Sequence, residues 1–140
     1  MELTLVAKPL VGGEARGSLL LLDEPLSLWG GLDPESGEVI DRRHPASGTI
    51  VTGRILAMPC GRGSSSASSV LLEAVRLDTA PAAIVLAEPD GILALGSLVA
   101  RELYGKGPPI LVLGTADYER LSDGQQVRIG PDGQLDLEVD

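Results

Sequence analysis

Between residues 54 and 113, three short apolar runs alternate with two helical patterns, and few folds accommodate that order. Arg54 to Met58 reads as a strand that stops at Pro59. After Cys60-Gly61-Arg62-Gly63, the residues Ala67, Val70, Leu71, Ala74 and Val75 recur at i, i+3, i+4, i+7 and i+8, which predicts a helix over 65–76. Ser64 to Ser66 are residue types that cap helix starts, and Pro81 marks the exit. Ala82 to Ala87 is continuously apolar, the pattern of a strand covered on both faces. Asp90 predicts the cap of a second helix, with Ile92, Leu95, Val99 and Leu103 as its apolar stripe and Gly105 and Pro108 at its end. Ile110 to Leu113 is the third apolar strand. A β-α-β-α-β order predicts right-handed crossovers and parallel pairing of 54–58, 83–87 and 110–113.

The ends of the chain read as antiparallel. Leu3, Leu5 and Ala7 alternate with polar neighbours, and 18–22 is the expected partner, reached through a turn at Val11-Gly12-Gly13. Val127 and Ile129, a Pro131-Asp132-Gly133 turn, then Leu135, Leu137 and Val139 predict a hairpin. The fold class is therefore α/β: a β/β/α sandwich or barrel around a central βαβαβ unit, as one domain over 1–140. The stretch from Leu26 to Gly48 has little periodicity, and a loop of that length in a small domain usually carries function. Within it, Asp33 and Glu35 are expected to organise a turn.

Composition removes several function classes. Twenty acidic residues against 11 basic ones give a net charge of −9, and the aromatics are one Trp, two Tyr and no Phe. A nucleic-acid backbone would be repelled, and bases would find almost nothing to stack on. One Cys and one His cannot close a disulfide framework or a metal site within the chain. The N-terminus lacks a basic segment followed by an apolar one, and no apolar run approaches the ~20 residues of a membrane span. A cytoplasmic protein with no membrane partner is expected.

The sharpest chemical feature is Gly61-Arg62-Gly63-Ser64-Ser65-Ser66, between a strand and a helix. Ligands of parallel α/β sheets bind at the carboxyl ends of the strands, where helix starts offer unpaired N–H groups and the positive dipole end. Glycines let backbone approach a ligand, and Arg62 can hold a carboxylate or phosphate with two parallel bonds. The plainer reading is a turn followed by serine caps. No Lys follows the loop, as a P-loop requires, and Ser66 stands where the dinucleotide fingerprint needs Gly or Ala. No Ser has the flanking glycines of a hydrolase elbow. His44, in Arg42-Arg43-His44-Pro45, reads as a substrate contact or a structural hydrogen-bonding group. Trp29, beside Gly30 and Gly31, reads as an interface anchor or loop packing, and Cys60 as a small buried filler.

Taken together, Leu28-Trp29-Gly30-Gly31-Leu32-Asp33-Pro34-Glu35-Ser36-Gly37, His44-Pro45, Gly53-Arg54-Ile55-Leu56, Pro59-Cys60-Gly61-Arg62-Gly63-Ser64-Ser65-Ser66 and Ala83 to Asp90 resemble the small subunit, or swivel domain, of aconitase X. Ile92 to Gly96 continues the likeness, which covers nearly the whole chain. The resemblance implies a swivelling domain and a hydro-lyase active only with a large subunit that carries an iron–sulfur cluster. It implies that Ser64 is the base, with Arg62, Gly63, Ser65 and His44 expected around a hydroxy-acid substrate and no metal ligand in this chain. Of the family's reactions, dehydration of cis-3-hydroxy-L-proline is the first expectation and of (R)-5-phosphomevalonate the alternative, since Glu88-Pro89-Asp90-Gly91 and the segment Ala100 to Tyr104 look more like the bacterial set. Two rival readings are a phosphohistidine carrier domain acting through His44 and an anion-binding domain without chemistry.

Overall fold

A computed structural model describes residues 2–61 and 65–139. Its centre follows from the apolar runs. β6 (Ile55–Met58) and β7 (Ala83–Leu86) are buried at every position, so both faces must be covered. β6 pairs in parallel with β3 (Ala15–Leu21) on one side and with β7 on the other, and β7 pairs in parallel with β8 (Ile110–Val112). α2 (Ala67–Arg76) and α3 (Gly91–Tyr104) make the two crossovers and pack against each other on one face.

The other face is closed by the chain ends. β9 (Gln126–Ile129) and β10 (Gln134–Glu138) form the expected hairpin, with Val127, Ile129, Leu135 and Leu137 turned inward. β1 (Glu2–Val6) lies on β10, β9 lies on β3, and β2 (Lys8–Val11) lies on β8, all antiparallel. The eight-stranded order is β1-β10-β9-β3-β6-β7-β8-β2. β1 and β2 are its two edges, yet only Ala7 separates them along the chain. The sheet therefore has to curl until its edges nearly meet. Pro9, which has no N–H to give, sits at the irregular register of edge strand β2.

Curling divides the interior in two. Inside the barrel lie Leu5, Leu19, Ile55, Ala57, Val85 and Leu111, with the hairpin residues. Between sheet and helices lie Leu20, Leu56, Met58, Leu71, Ile84 and Leu93. The alternation along β6, with Ile55 and Ala57 inward and Leu56 and Met58 outward, is the period-2 pattern of a pleated strand.

Two sequence expectations need correction. The strand around Leu3 and Leu5 pairs with β10, not with 18–22; its alternation specified one buried face but no partner. The buried face of α3 is Leu93, Ala94, Gly96, Ser97 and Ala100, whereas Leu95 and Leu103 of the expected stripe are exposed. Small residues won because α2 comes so close: a Cβ on Gly96 would lie 3.0 Å from the Ser68 carbonyl oxygen. The Asp90 cap is as expected, its Oδ1 accepting from the Ile92 and Leu93 amides at 2.9 and 3.1 Å. Gly105 ends the helix in the left-handed conformation, φ 72°.

The irregular stretch after β3 contains α1 (Leu28–Gly31), then β4 (Leu32–Asp33) paired with β5 (Glu38–Val39). Trp29 (φ −70°, ψ 118°) and Gly30 (φ 76°, ψ −11°) interrupt α1 with the angles of a type II corner, which places glycine second. Asp33 organises the next turn, accepting at its two carboxylate oxygens from the Glu35 amide and the Ser36 hydroxyl.

Candidate functional site

The four parallel strands deliver their carboxyl ends to one rim. Chain leaving β3 enters Leu22–Glu24, with the Leu22 amide still donating to the Ala57 carbonyl at 2.9 Å. Chain leaving β6 enters Pro59-Cys60-Gly61, and the Ala87 amide donates to the Pro59 carbonyl at 3.0 Å. Chain leaving β7 reaches Asp90. Gly61 needs its lack of a side chain: a Cβ there would collide with the Asp90 carboxylate. The start of the Gly61–Ser66 loop is thus set against the cap of α3, a contact that no sequence spacing announced.

Arg62, Gly63 and Ser64 lie outside the described residues. The described residues on either side of them are Gly61, after β6, and Ser65, before α2. Ser65 is exposed, and its carbonyl accepts from the Ser68 hydroxyl at 2.9 Å. Ser66 does not cap α2 with its side chain, since its backbone is already helical at φ −71°, ψ −12°.

His44 is 5% exposed, and both its ring nitrogens are used. Nδ1 accepts from the Ala46 amide at 3.0 Å, so Nε2 is the protonated nitrogen and donates to the Glu24 carbonyl at 3.1 Å. These bonds hold the chain after β3 to the 41–46 turn. The structure thus gives His44 its structural bonds and leaves no ring nitrogen for a ligand. His44→Ala should remove a buried ring and strip partners from the part-buried Ala46 N–H and the Glu24 carbonyl, costing about 1–3 kcal/mol in denaturant unfolding.

The segments that His44 joins line a cleft of about 430 Å³. Glu24, Ser27 and Trp29 contribute from the chain after β3, and Asp41, Arg43 and His44 from the 41–46 turn. Trp29 is 61% exposed. Sequence reasoning singled out Trp29 and His44 but missed Glu24, Asp41 and Arg43, although Trp-Gly was a readable type II corner.

Cys60 is a partly buried free thiol. Nearby, on α4 (Thr115–Tyr118), the Tyr118 hydroxyl is buried and has no hydrogen-bond partner among the described residues. Burial, and then the charge of a Cys60 thiolate, push the Tyr118 phenol up. The folded protein therefore keeps this proton to higher pH than the unfolded chain, where Tyr titrates near ~10. Stability is full below that pH and declines as the pH rises toward the folded-state value. Tyr118→Phe should raise the denaturation midpoint and flatten its decline above pH ~10.

Among the described residues, no group of three His, Cys, Asp or Glu side chains converges as a metal site. Cys60 offers at most one of the thiolates that hold an iron–sulfur cluster, so these residues do not fit one. Among them, no helix is long and apolar enough to cross a membrane.

A nearly closed β-barrel flanked by two helices, with a glycine–serine loop at its rim, defines a swivel-type domain. The chain belongs to the aconitase X swivel domain family, which it matches over residues 4–138. It is 52% identical over 136 residues to a cis-3-hydroxy-L-proline dehydratase of Pseudomonas aeruginosa, covering 97% of this chain and 23% of that protein. It is 38% identical over 134 residues to the phosphomevalonate dehydratase small subunit of Thermococcus gammatolerans, covering 95% of this chain and 96% of that one. The crystal structure of Thermococcus kodakaraensis aconitase X in its holo-form superposes with a TM-score of 0.87 at 30% identity, over 98% of this chain and 99% of that chain. The chain spans less than a quarter of the length of the cis-3-hydroxy-L-proline dehydratases it matches.

Proposed function

We propose that this chain is the swivelling small subunit of an aconitase X-type hydro-lyase, that Ser64 is its base, and that its substrate is cis-3-hydroxy-L-proline. What supports the reading is the Gly-Arg-Gly-Ser-Ser-Ser sequence over 61–66, whose described flanks are Gly61 after β6 and Ser65 before α2, in a chain of the aconitase X swivel family. The 52% identity to a cis-3-hydroxy-L-proline dehydratase favours that substrate. The small-subunit relative, of which this chain covers 96%, supports division of the enzyme between two chains.

Dehydration beside a carboxylate removes a proton from one carbon and hydroxide from the next, leaving a double bond between them. A serine hydroxyl is a very weak acid, so Ser64 can take the proton only as a stabilised alkoxide. The amides at the start of α2 and the positive end of its dipole favour negative charge there, and Arg62 adds a full positive charge. Arg62 also suits the substrate carboxylate, which it can grip with two parallel bonds. An iron–sulfur cluster held by the larger partner would supply the Lewis acid that helps hydroxide leave.

That partner covers the rim, on a face that includes the 28–45 and 61–66 segments, where exposed Trp29 offers an anchor. Co-expression with a large iron–sulfur subunit should give co-elution on size exclusion and hydro-lyase activity on cis-3-hydroxy-L-proline. Activity of this chain alone would overturn the division of labour, and turnover of (R)-5-phosphomevalonate in its place would overturn the substrate.

A further inference from the structure

We propose that α3 ties down both flanks of the 62–64 segment, and that Asp90 and Ser68 are positioning residues for the hydro-lyase reaction, each fixing one flank. Their role in turnover rests on the reading of Ser64 as the base, whereas the two contacts stand on geometry alone.

The first contact joins Gly61 to the start of α3. Asp90 Oδ2 occupies the space that a Cβ on Gly61 would need, and Leu93 Cδ1 lies 3.7 Å from the same point. A carboxylate at the end of a side chain ordinarily swings aside. Here its other oxygen, Oδ1, accepts from the Ile92 and Leu93 amides at 2.9 and 3.1 Å, so swinging aside uncaps α3. Asp90 thus caps the helix with one oxygen and abuts Gly61 with the other.

The second contact reaches the far flank through α2. Gly96 is buried on α3, and a Cβ there would lie 3.0 Å from the Ser68 carbonyl oxygen and 3.1 Å from Ser68 Cα. Both are backbone atoms, so Ser68 stands against α3 with no side chain between to yield. Its hydroxyl in turn donates to the Ser65 carbonyl at 2.9 Å. A path of direct contacts therefore runs from α3 through Ser68 to Ser65.

Three residues separate Gly61 from Ser65, and each spans at most ~3.6 Å, so the flanks bound where the Ser64 hydroxyl can go. A reacting group needs placement to within about 0.5 Å, and a 1 Å error can cost ~10²-fold in rate. One helix that fixes both flanks gives that placement a common reference.

Asp90→Ser separates the cap from the contact, because serine caps a helix about as well but ends one atom short of Gly61. In the reconstituted complex it should lower kcat about 10-fold while KM changes less than about 3-fold, with the denaturation midpoint of the chain unchanged. Ser68→Ala, which frees the Ser65 carbonyl, should do the same. Asp90→Asn keeps an atom at both places and should restore kcat to within about 3-fold of the parent. The contact is read without activity. Gly61→Ala should lower the midpoint by driving Asp90 off the α3 amides, and Gly61→Ala with Asp90→Ser should recover most of that loss.

Additive midpoints for Gly61→Ala and Asp90→Ser would overturn the Asp90 contact. Parent kcat from Asp90→Ser or from Ser68→Ala would overturn the role of that residue. An equal loss from Asp90→Asn would mean that charge, not placement, matters, and would overturn the positioning role. A complex without hydro-lyase activity would overturn the proposed function and the role in turnover with it, while the coupled midpoints still decide the contact.

Discussion

Ser64→Ala in the reconstituted complex should lower kcat by about 10²–10⁴-fold, the scale for losing a positioned base. Folding and assembly should be unchanged. The substitution removes one hydroxyl from a short polar loop, and the α2 packing beside it rests on Ala67, Leu71 and Ala74. Ser65→Ala is the informative neighbour. The bond that Ser65 receives from the Ser68 hydroxyl is to its backbone carbonyl, which alanine keeps. Near-normal turnover is therefore expected from Ser65→Ala. If the two results were exchanged, the base would be Ser65. If neither mattered, the loop would only bind, and the base would lie in the partner. Arg62→Lys should keep kcat closer to normal and raise KM, because an ammonium cannot reproduce a two-pronged grip.

The centre of the fold was legible because its signals are local. Ile55 to Met58, Ala83 to Leu86 and Ile110 to Val112 are short apolar runs, and the periodic segment between the first two could pack only as a helix. The barrel was less legible. Strands β1 and β10 come from opposite ends of the chain, and alternation at Leu3 and Leu5 says nothing of which edge they join. The site divides in the same way. Gly61 to Ser66 announces itself through residue types between a strand and a helix, whereas the cleft depends on His44 reaching Glu24, 20 residues earlier in the chain. A His reads the same in sequence whether its ring meets substrate or fastens two loops. Here the ring nitrogens bond the Ala46 amide and the Glu24 carbonyl, and both partners are backbone groups, which leave no mark in residue type.

Leu56→Ala and Leu95→Ala should separate the true core from the apparent one. Both are leucines in regular elements, and helical spacing alone placed Leu95 in a buried stripe. Leu56 is 0% exposed in the central strand of the parallel unit, among Met58, Ile84 and Leu71. Truncation there removes buried methyls and leaves a cavity that neighbours clamped in a sheet cannot fill, so a loss of about 2–5 kcal/mol is expected. Leu95 is 55% exposed on α3, and alanine is the better helix former, so its replacement should fall within about 0.5 kcal/mol of zero. Denaturant midpoints measure both. A large loss at Leu95 would mean that this face of α3 is covered in solution. A small loss at Leu56 would mean that the layer between sheet and helices can collapse. Leu56 also lies just upstream of Pro59-Cys60-Gly61, so its cavity opens under the strand that leads into the segment of the proposed base. Leu56→Ala should therefore lower kcat in the reconstituted complex at temperatures where the chain is still folded, while Leu95→Ala leaves it unchanged.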